Sequence, residues 1–295
     1  MKPANFTGTG VAIVTPFKED KSIDFSALEK HIEYLIKNGV DYLVVLGTTG
    51  ESATLSDEEK NLLTSFVIQK VNKRIPLVLG IGGNNTASVI NKIQTTDLTN
   101  IDAILSVTPY YNKPSQTGLY EHYKAIAQST SKSIILYNVP GRTSVNMKAD
   151  TTLKLAYDFK NVIAVKEAAG DMSQAMYLIK DKPAGFQVIS GEDALTLPLI
   201  MLGFSGVISV VANAMPKEFS DMVRLALASN YNDAKSIHYK LLEFTDHMFI
   251  EGNPSGVKAA LAILGIMENN LRLPLVPISD NTYKKINLLI TKIKS

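Results

Sequence analysis

The sequence predicts an α/β fold, a (β/α)8 TIM barrel with a C-terminal helical extension. Three observations predict it. Eight short apolar, β-branched runs recur along the chain. They are apolar throughout instead of alternating with polar residues, as parallel strands covered on both faces must be. Helical patterns occupy the intervals, and the units repeat roughly every 20–35 residues, the spacing of a strand–helix barrel. An open doubly wound sheet is the main alternative. Its dinucleotide-binding form is disfavoured because "GIGGNN" reads Gly80-x-Gly82-Gly83, not GxGxxG, and nothing resembles GxxxxGK[ST].

The elements follow in order. "GVAIVT" opens at Gly10, and "DFSALEKHIEYLIKNG" then starts at a plausible N-cap, Asp24. It places Leu28, Ile32, Leu35 and Ile36 on one helical face and stops at Gly39. "YLVVLG" begins at Tyr42, and the next helix, "SDEEKNLLTSFVIQKV", opens with a capping box of Ser56 and Glu59. The remaining strands are "PLVLGI" from Pro76, "DAILSV" from Asp102, "SIILYN" from Ser133, "NVIAVK" from Asn161, "FQVIS" from Phe186 and "GVISVV" from Gly206. Ala194 to Pro216 carries no charge and is long enough to suggest a membrane span. Pro198, Gly203, Gly206 and Asn213 interrupt it, with Ser205 and Ser209 adding polarity, so a short buried helix, a glycine turn and a strand explain it better. The last segments, "KEFSDMVRLALAS", "DAKSIHYKLLEFTDHMF" and "GVKAALAILG", are helical by pattern. The expected division is a barrel over 1–216 and an extension packed on it over 217–295, with no Pro/Ser-rich linker between them.

Composition narrows the function. Of 295 residues, 45% are hydrophobic and 20% charged, which is enough to fill a core and argues against wholesale disorder. The net charge is +2 with dispersed basic residues, giving no footprint for nucleic acid. The absence of cysteine removes disulfides, thiolate metal sites and a cysteine nucleophile. His31, His122, His238 and His247 are scattered, and none has ligand spacing, so no metal or other cofactor is expected. "MKPANFTGTG" has no apolar signal region, and a cytoplasmic, membrane-free protein is the expectation.

Barrel active sites form at the C-terminal ends of the strands. Strand two ends in "GTTGES", strand four in "TPYYNKP", strand five in "YNVPGRT", strand six on Lys166 and strand eight in "ISVVAN". Taken singly, each is ordinary: a solvated lysine, a tight turn, packing tyrosines at Tyr110, Tyr111 and Tyr137, a surface arginine at Arg142. Together they make a reaction centre. An unprotonated amine attacks a ketone, and burial beside a cation can bring a lysine into that form toward ~7–8. The imine then serves as an electron sink that stabilises a carbanion equivalent. A tyrosine hydroxyl can shuttle protons, a Thr-Thr-Gly turn can offer hydroxyls and N–H groups to a carboxylate, and arginine can grip a second carboxylate bidentately. The set points to an α-keto acid bound as a Schiff base, with a second acidic substrate.

At these residues the chain resembles the dihydrodipicolinate synthases, within the superfamily of pyruvate-dependent Schiff-base aldolases and lyases. The motifs are "GTTGESATL", "TPYYNKP", "YNVPGRT", "VKEA" and "GVISVVAN", and the resemblance runs from "GTGVAIVTPF" to "LRLPLVPIS". It implies condensation of pyruvate with L-aspartate 4-semialdehyde to 4-hydroxy-tetrahydrodipicolinate, a step of lysine and diaminopimelate synthesis. Lys166 would form the pyruvate imine and Tyr137 would be its acid/base residue. Thr48 would pass protons between Tyr137 and Tyr111, the latter reaching in from a neighbouring subunit of a homotetramer arranged as a dimer of dimers. Thr49 would hold the pyruvate carboxylate and Arg142 that of the semialdehyde, with the Ile208 carbonyl lining the pocket. One departure is "NPSGVK" at Asn253 to Lys258, where the usual pattern is NP-x-P-x-K; Gly256 replaces the second proline.

The nearest alternative is an N-acetylneuraminate lyase or a 2-keto-3-deoxy-sugar-acid aldolase. These generally lack the arginine after "YNVPG" and carry GSTGE instead of GTTGE, so Arg142 favours the semialdehyde. A non-catalytic binding protein would have no reason to gather lysine, tyrosine and threonine on one rim. The resemblance also implies a possible allosteric lysine site, of which Ser52, Ala53, Asn84 and Tyr110 are kept. Asp57 and Lys60 stand where lysine-sensitive members often have histidine, and Ser88 where they have glutamate. Feedback by L-lysine is therefore expected to be weak or absent.

Overall fold

The computed structural model describes residues 5–294. Residues 1–4, part of the segment expected to lack a leader, and Ser295 at the end of the extension lie outside them. Eight parallel strands close into a barrel in chain order, with β1 pairing both β2 and β8. The elements are β1 (Gly8–Ala12), α1 (Phe25–Lys37), β2 (Tyr42–Val45), α2 (Asp57–Val71), β3 (Leu77–Gly80), α3 (Thr86–Thr95), β4 (Ala103–Val107) and α4 (Gln116–Gln128). They continue with β5 (Ser133–Asn138), α5 (Pro140–Thr143), α6 (Ala149–Asp158), β6 (Val162–Glu167), α7 (Met172–Asp181), β7 (Gln187–Ser190), α8 (Thr196–Leu202) and β8 (Gly206–Ser209). After the barrel strands come α9 (Pro216–Leu227), α10 (Tyr231–His247), α11 (Ser255–Ile263) and α12 (Asp280–Lys294).

Local chemistry sets these boundaries. Asp24 accepts the Ala27 N–H at 3.0 Å and starts α1, which buries Leu28, His31, Ile32 and Leu35. Ser56 and Glu59 form the reciprocal capping box, at 2.9 and 3.2 Å, that opens α2. The uncharged stretch resolves as expected into α8, a turn at Gly203 and β8. Among the described residues no helix is long and apolar enough to cross a membrane. Strand ends differ by one to three residues from expectation, most at β1, which runs Gly8–Ala12 where the sequence predicts "GVAIVT" from Gly10. β6 runs through Glu167, one residue past Lys166, and the two valines after Ser209 leave β8 for a 3₁₀ turn over Val211–Asn213.

Among the described residues there are two buried clusters. The larger lies between the strands and the helices. The smaller fills the barrel interior with Phe6, Tyr42, Val78, Ile135, Tyr137, Ala164, Ile189 and Ile208, among others. Strand side chains alternate between faces, so Ala164 and Ile135 facing inward put Lys166 and Tyr137 on the inner side as well. The helix α9 packs on β1 and β8 and closes the ring of helices beyond residue 216, while α10 packs on α9 and α12.

Candidate active site

Register brings the two central residues together. Tyr137 and Lys166 are direct partners between β5 and β6, and Asn138 and Glu167 are the next pair. Both members of the first pair are inward-facing and buried, and the Lys166 ammonium lies over the Tyr137 ring, 4.3 Å from its centroid. The second pair turns outward and locks the rim. Glu167 accepts from the Asn138 amide at 3.0 and 3.1 Å, from Gln174 at 3.0 Å and from the Ala169 N–H at 2.8 Å. Burial raises the Glu167 carboxyl above its ordinary range, and these hydrogen bonds work against that rise.

Acidic groups approach Lys166 from the end of β7. Asp193 is fully buried and accepts the Val210 and Val211 N–H groups at 2.9 and 3.2 Å. Burial raises both its carboxyl and that of Glu192, while the positive charge of Lys166 favours ionisation of each. Arg142 acts on Glu192 in the same sense. A positive charge at Lys166 therefore lies beside two carboxyl groups whose ionised forms it favours.

The turn after β2 is a 3₁₀ turn over Thr48–Gly50. Thr48 is exposed toward the rim, whereas Thr49 is buried and its hydroxyl accepts the Asn253 amide at 3.0 Å. A cavity of about 770 Å³ opens above the barrel end and is bordered by Thr48, Tyr137 and Arg142 together with Ser52, Ala53, Asn84 and Tyr110. Thr48 and Tyr137, two of the four residues expected to catalyse, thus share one continuous space with the possible allosteric set. Lys166, Thr49 and Ile208 are buried behind its lining, and Ile208 belongs to the barrel-interior cluster. The Arg142 side chain is exposed in the short α5 turn and makes no hydrogen bond or ion pair among the described residues. Tyr111 is set apart: it is 90% exposed and holds a left-handed φ of 74°. An aromatic residue rarely adopts that conformation without a role for it.

Three residues outside the expected set belong to this arrangement. Asn253, from the segment before α11, lines the cavity and holds Thr49; its side-chain Oδ1 is buried without a partner among the described residues. Gly191 follows β7 so closely against Lys166 that an added Cβ would stand 2.6 Å from the Ala168 Cβ and 3.0 Å from the Lys166 Cε. Glu51 ends the threonine turn and is buried in an ion pair with Lys258. The signal for Gly191 was a glycine placed directly after a strand on the active rim; Asn253 and Glu51 gave none by local pattern. Among the described residues no group of three or more His, Cys, Asp or Glu side chains could hold a metal ion.

The family model described as the dihydrodipicolinate synthetase family matches residues 5–293. A 4-hydroxy-tetrahydrodipicolinate synthase of Parabacteroides distasonis is 56% identical over 293 residues, 99% of each chain. The structure of the dihydrodipicolinate synthase of Thermotoga maritima superposes with a TM-score of 0.96 at 40% identity, covering 98% of this chain and 99% of its own. The chloride-inhibited enzyme of Acinetobacter baumannii, solved in complex with pyruvate, gives 0.95 at 39% identity, with 98% and 99% covered. The matches span the whole barrel and its extension, and with the lysine, tyrosine and threonine turn gathered at one rim they lead to one conclusion: the chain belongs to the dihydrodipicolinate synthetase family.

Proposed function

We propose that this protein is an enzyme that condenses pyruvate, held as a lysine imine, with L-aspartate 4-semialdehyde to give 4-hydroxy-tetrahydrodipicolinate, in lysine and diaminopimelate synthesis. The observation that carries this reading is the facing pair on β5 and β6: a buried amine over a tyrosine ring, next to a threonine turn. In this reading the Lys166 amine adds to the pyruvate ketone and water leaves. Tyr137, adjacent on β5, supplies and removes the protons, with Thr48 passing them onward. Thr49 and the N–H groups of its turn hold the keto-acid carboxylate. The imine loses a methyl proton to give an enamine, whose carbon attacks the semialdehyde aldehyde to leave a hydroxyl. The semialdehyde's own amine then attacks the regenerated imine carbon, closing the ring and releasing the Lys166 amine. Arg142, at the cavity border with a free guanidinium fork, receives the semialdehyde carboxylate. The Ile208 carbonyl contributes a polar edge to the pocket floor.

Tyr111 completes the site from a neighbouring subunit of a homotetramer. Its 90% exposure on a constrained backbone supports a residue whose contacts lie on another chain. We place the enzyme in the cytoplasm, and we take 217–295 as the extension, whose first helix, α9, also closes the barrel's ring of helices. The sugar-acid aldolase alternative lacks a comparable reason for Arg142 at the cavity border.

The test is intact mass after borohydride reduction in the presence of pyruvate. One pyruvyl group should be added, mapping to Lys166, and Lys166→Ala should take up none. Label on a Lys166→Ala variant would end this reading.

A further inference from the structure

The extension reaches back into the threonine turn through a buried charge pair that the chemistry above does not use. Lys258, on α11, has no exposed side-chain surface, nor does Glu51, its ion-pair partner at the end of the turn. The same ammonium donates to the Asn270 carbonyl at 2.9 Å and stands 4.2 Å from the centroid of the Phe17 ring. The other Glu51 oxygen accepts the Arg272 N–H at 3.1 Å. Arg272 in turn donates to the Thr54 carbonyl at 2.9 Å and to both oxygens of Glu59 at 2.5 and 2.7 Å. Burial pushes the Lys258 amine down to about 8, with Glu51 opposing that fall.

Glu51 is also where the turn's backbone is least ordinary. Its φ is 51°, the left-handed region, and it is not glycine. Its N–H closes the turn onto the Thr48 carbonyl at 3.1 Å, and its carbonyl accepts from Thr54. A side chain anchored at both oxygens holds this conformation; without the anchor the turn would relax. The sequence motif fits the arrangement. In "NPSGVK", Asn253 holds Thr49 and Lys258 holds Glu51, so the two ends of one short segment grip neighbouring points of the turn. Gly256 lies between them, and a Cβ there would meet the Met248 carbonyl oxygen at 2.6 Å, so the absence of the usual proline follows from close backbone approach.

We propose that Glu51 and Lys258 are positioning residues: their buried pair fixes the turn so that Thr48 and Thr49 present hydroxyls and N–H groups to the keto-acid carboxylate. This rests on the reading of the turn as the pyruvate carboxylate site. Glu51 borders the cavity, but neither side chain has exposed surface through which to touch substrate.

The test uses Glu51→Gln/Lys258→Met in the full chain, which removes both charges and keeps both shapes. Such neutral replacement of a buried pair is often tolerated, so the melting temperature should stay within a few degrees. The KM for pyruvate should rise at least tenfold, the KM for the semialdehyde less than twofold. Amide exchange in the peptide covering 47–55 should accelerate about tenfold. Lys285→Met, which breaks an exposed pair with Glu243 far from the turn, should change neither. If the double variant does not fold, Glu51→Gln alone should move both readouts in the same direction by at least threefold. Unchanged pyruvate KM, unchanged exchange, or equal loss in both substrates in step with the folded fraction overturns the proposal. Amide exchange needs no substrate, so if the wild-type protein forms no imine the functional reading fails while exchange alone decides the positioning role.

Discussion

Replacing Gly191 with alanine should slow imine formation without unfolding the protein. Gly191 N–H donates to the Glu167 carbonyl at 2.7 Å, which fixes its Cα against the end of β6. A Cβ built there lies 2.6 Å from the Ala168 Cβ, 3.0 Å from the Lys166 Cε and 3.2 Å from the Glu167 carbonyl oxygen. Ordinary contact begins near 3.4 Å, so Ala168 must retreat by about 0.8 Å and the lysine chain by about 0.4 Å, a degree of overpacking that typically costs ~1–3 kcal/mol. The backbone at Gly191 is not in the left-handed region, so steric crowding is the whole effect. A stability loss of that size lowers the melting temperature by roughly 2–10 °C in a chain of this length. The larger consequence is at the amine. A misplacement near 1 Å can cost about 100-fold in a positioned reaction, so a few tenths of an ångström predicts roughly a 10-fold slower step. The assay is the rate of pyruvyl labelling in a single-turnover borohydride trap at saturating pyruvate, with thermal unfolding measured in parallel. A folded variant trapped at the wild-type rate would refute the claim that this glycine sets the position of the Lys166 amine.

Four further outcomes are expected. Arg142→Ala should still form the pyruvate imine, but the KM for the semialdehyde should rise about 10- to 100-fold, as for loss of a charged hydrogen bond worth ~1.5–3 kcal/mol; steady-state kinetics in both substrates would expose an unchanged value as a wrong assignment. Tyr111→Phe and Lys166→Ala should each be inactive yet partly recover activity when mixed under verified subunit exchange, and no recovery would count against a shared site. L-lysine should inhibit weakly: Ser88 supplies no anion, and Asp57 already faces Lys92 at 2.8 Å and Lys60 at 3.6 Å. Loss of one partly buried ion partner costs roughly 2–5 kcal/mol, more than tenfold in affinity, so half-inhibition at submillimolar lysine would contradict it. Acid should destabilise the barrel through His31, which burial lowers from 6.5 to about 4. The unfolded chain binds the proton first, so stability is complete above pH 6.5 and falls by about 2–3 kcal/mol toward pH 4. His31→Gln should flatten that slope in urea titrations, an effect that His122, also lowered to about 4, will partly mask.

The sequence by itself determined the barrel and which residues stand at the ends of its strands, because both are written in short segments. Strands buried on two faces must be apolar throughout, which is why "SIILYN" and "NVIAVK" announce themselves and why Lys166 at the end of the second stands out. Capping is equally local, as at Asp24 and at Ser56 with Glu59. Register is not local. That Tyr137 pairs with Lys166 follows from how β5 and β6 slide against each other, with a shift between Ile134 and Ile135 that no periodicity records. The contacts of the threonine turn lie further from view still. Asn253 meets Thr49 across 204 residues and Lys258 meets Glu51 across 207. Hydrophobic patterning specifies which faces are buried, but a buried polar pair is chosen by the geometry of closure. Only the folded barrel, with α11 laid against the threonine turn, decided that "NPSGVK" would grip it.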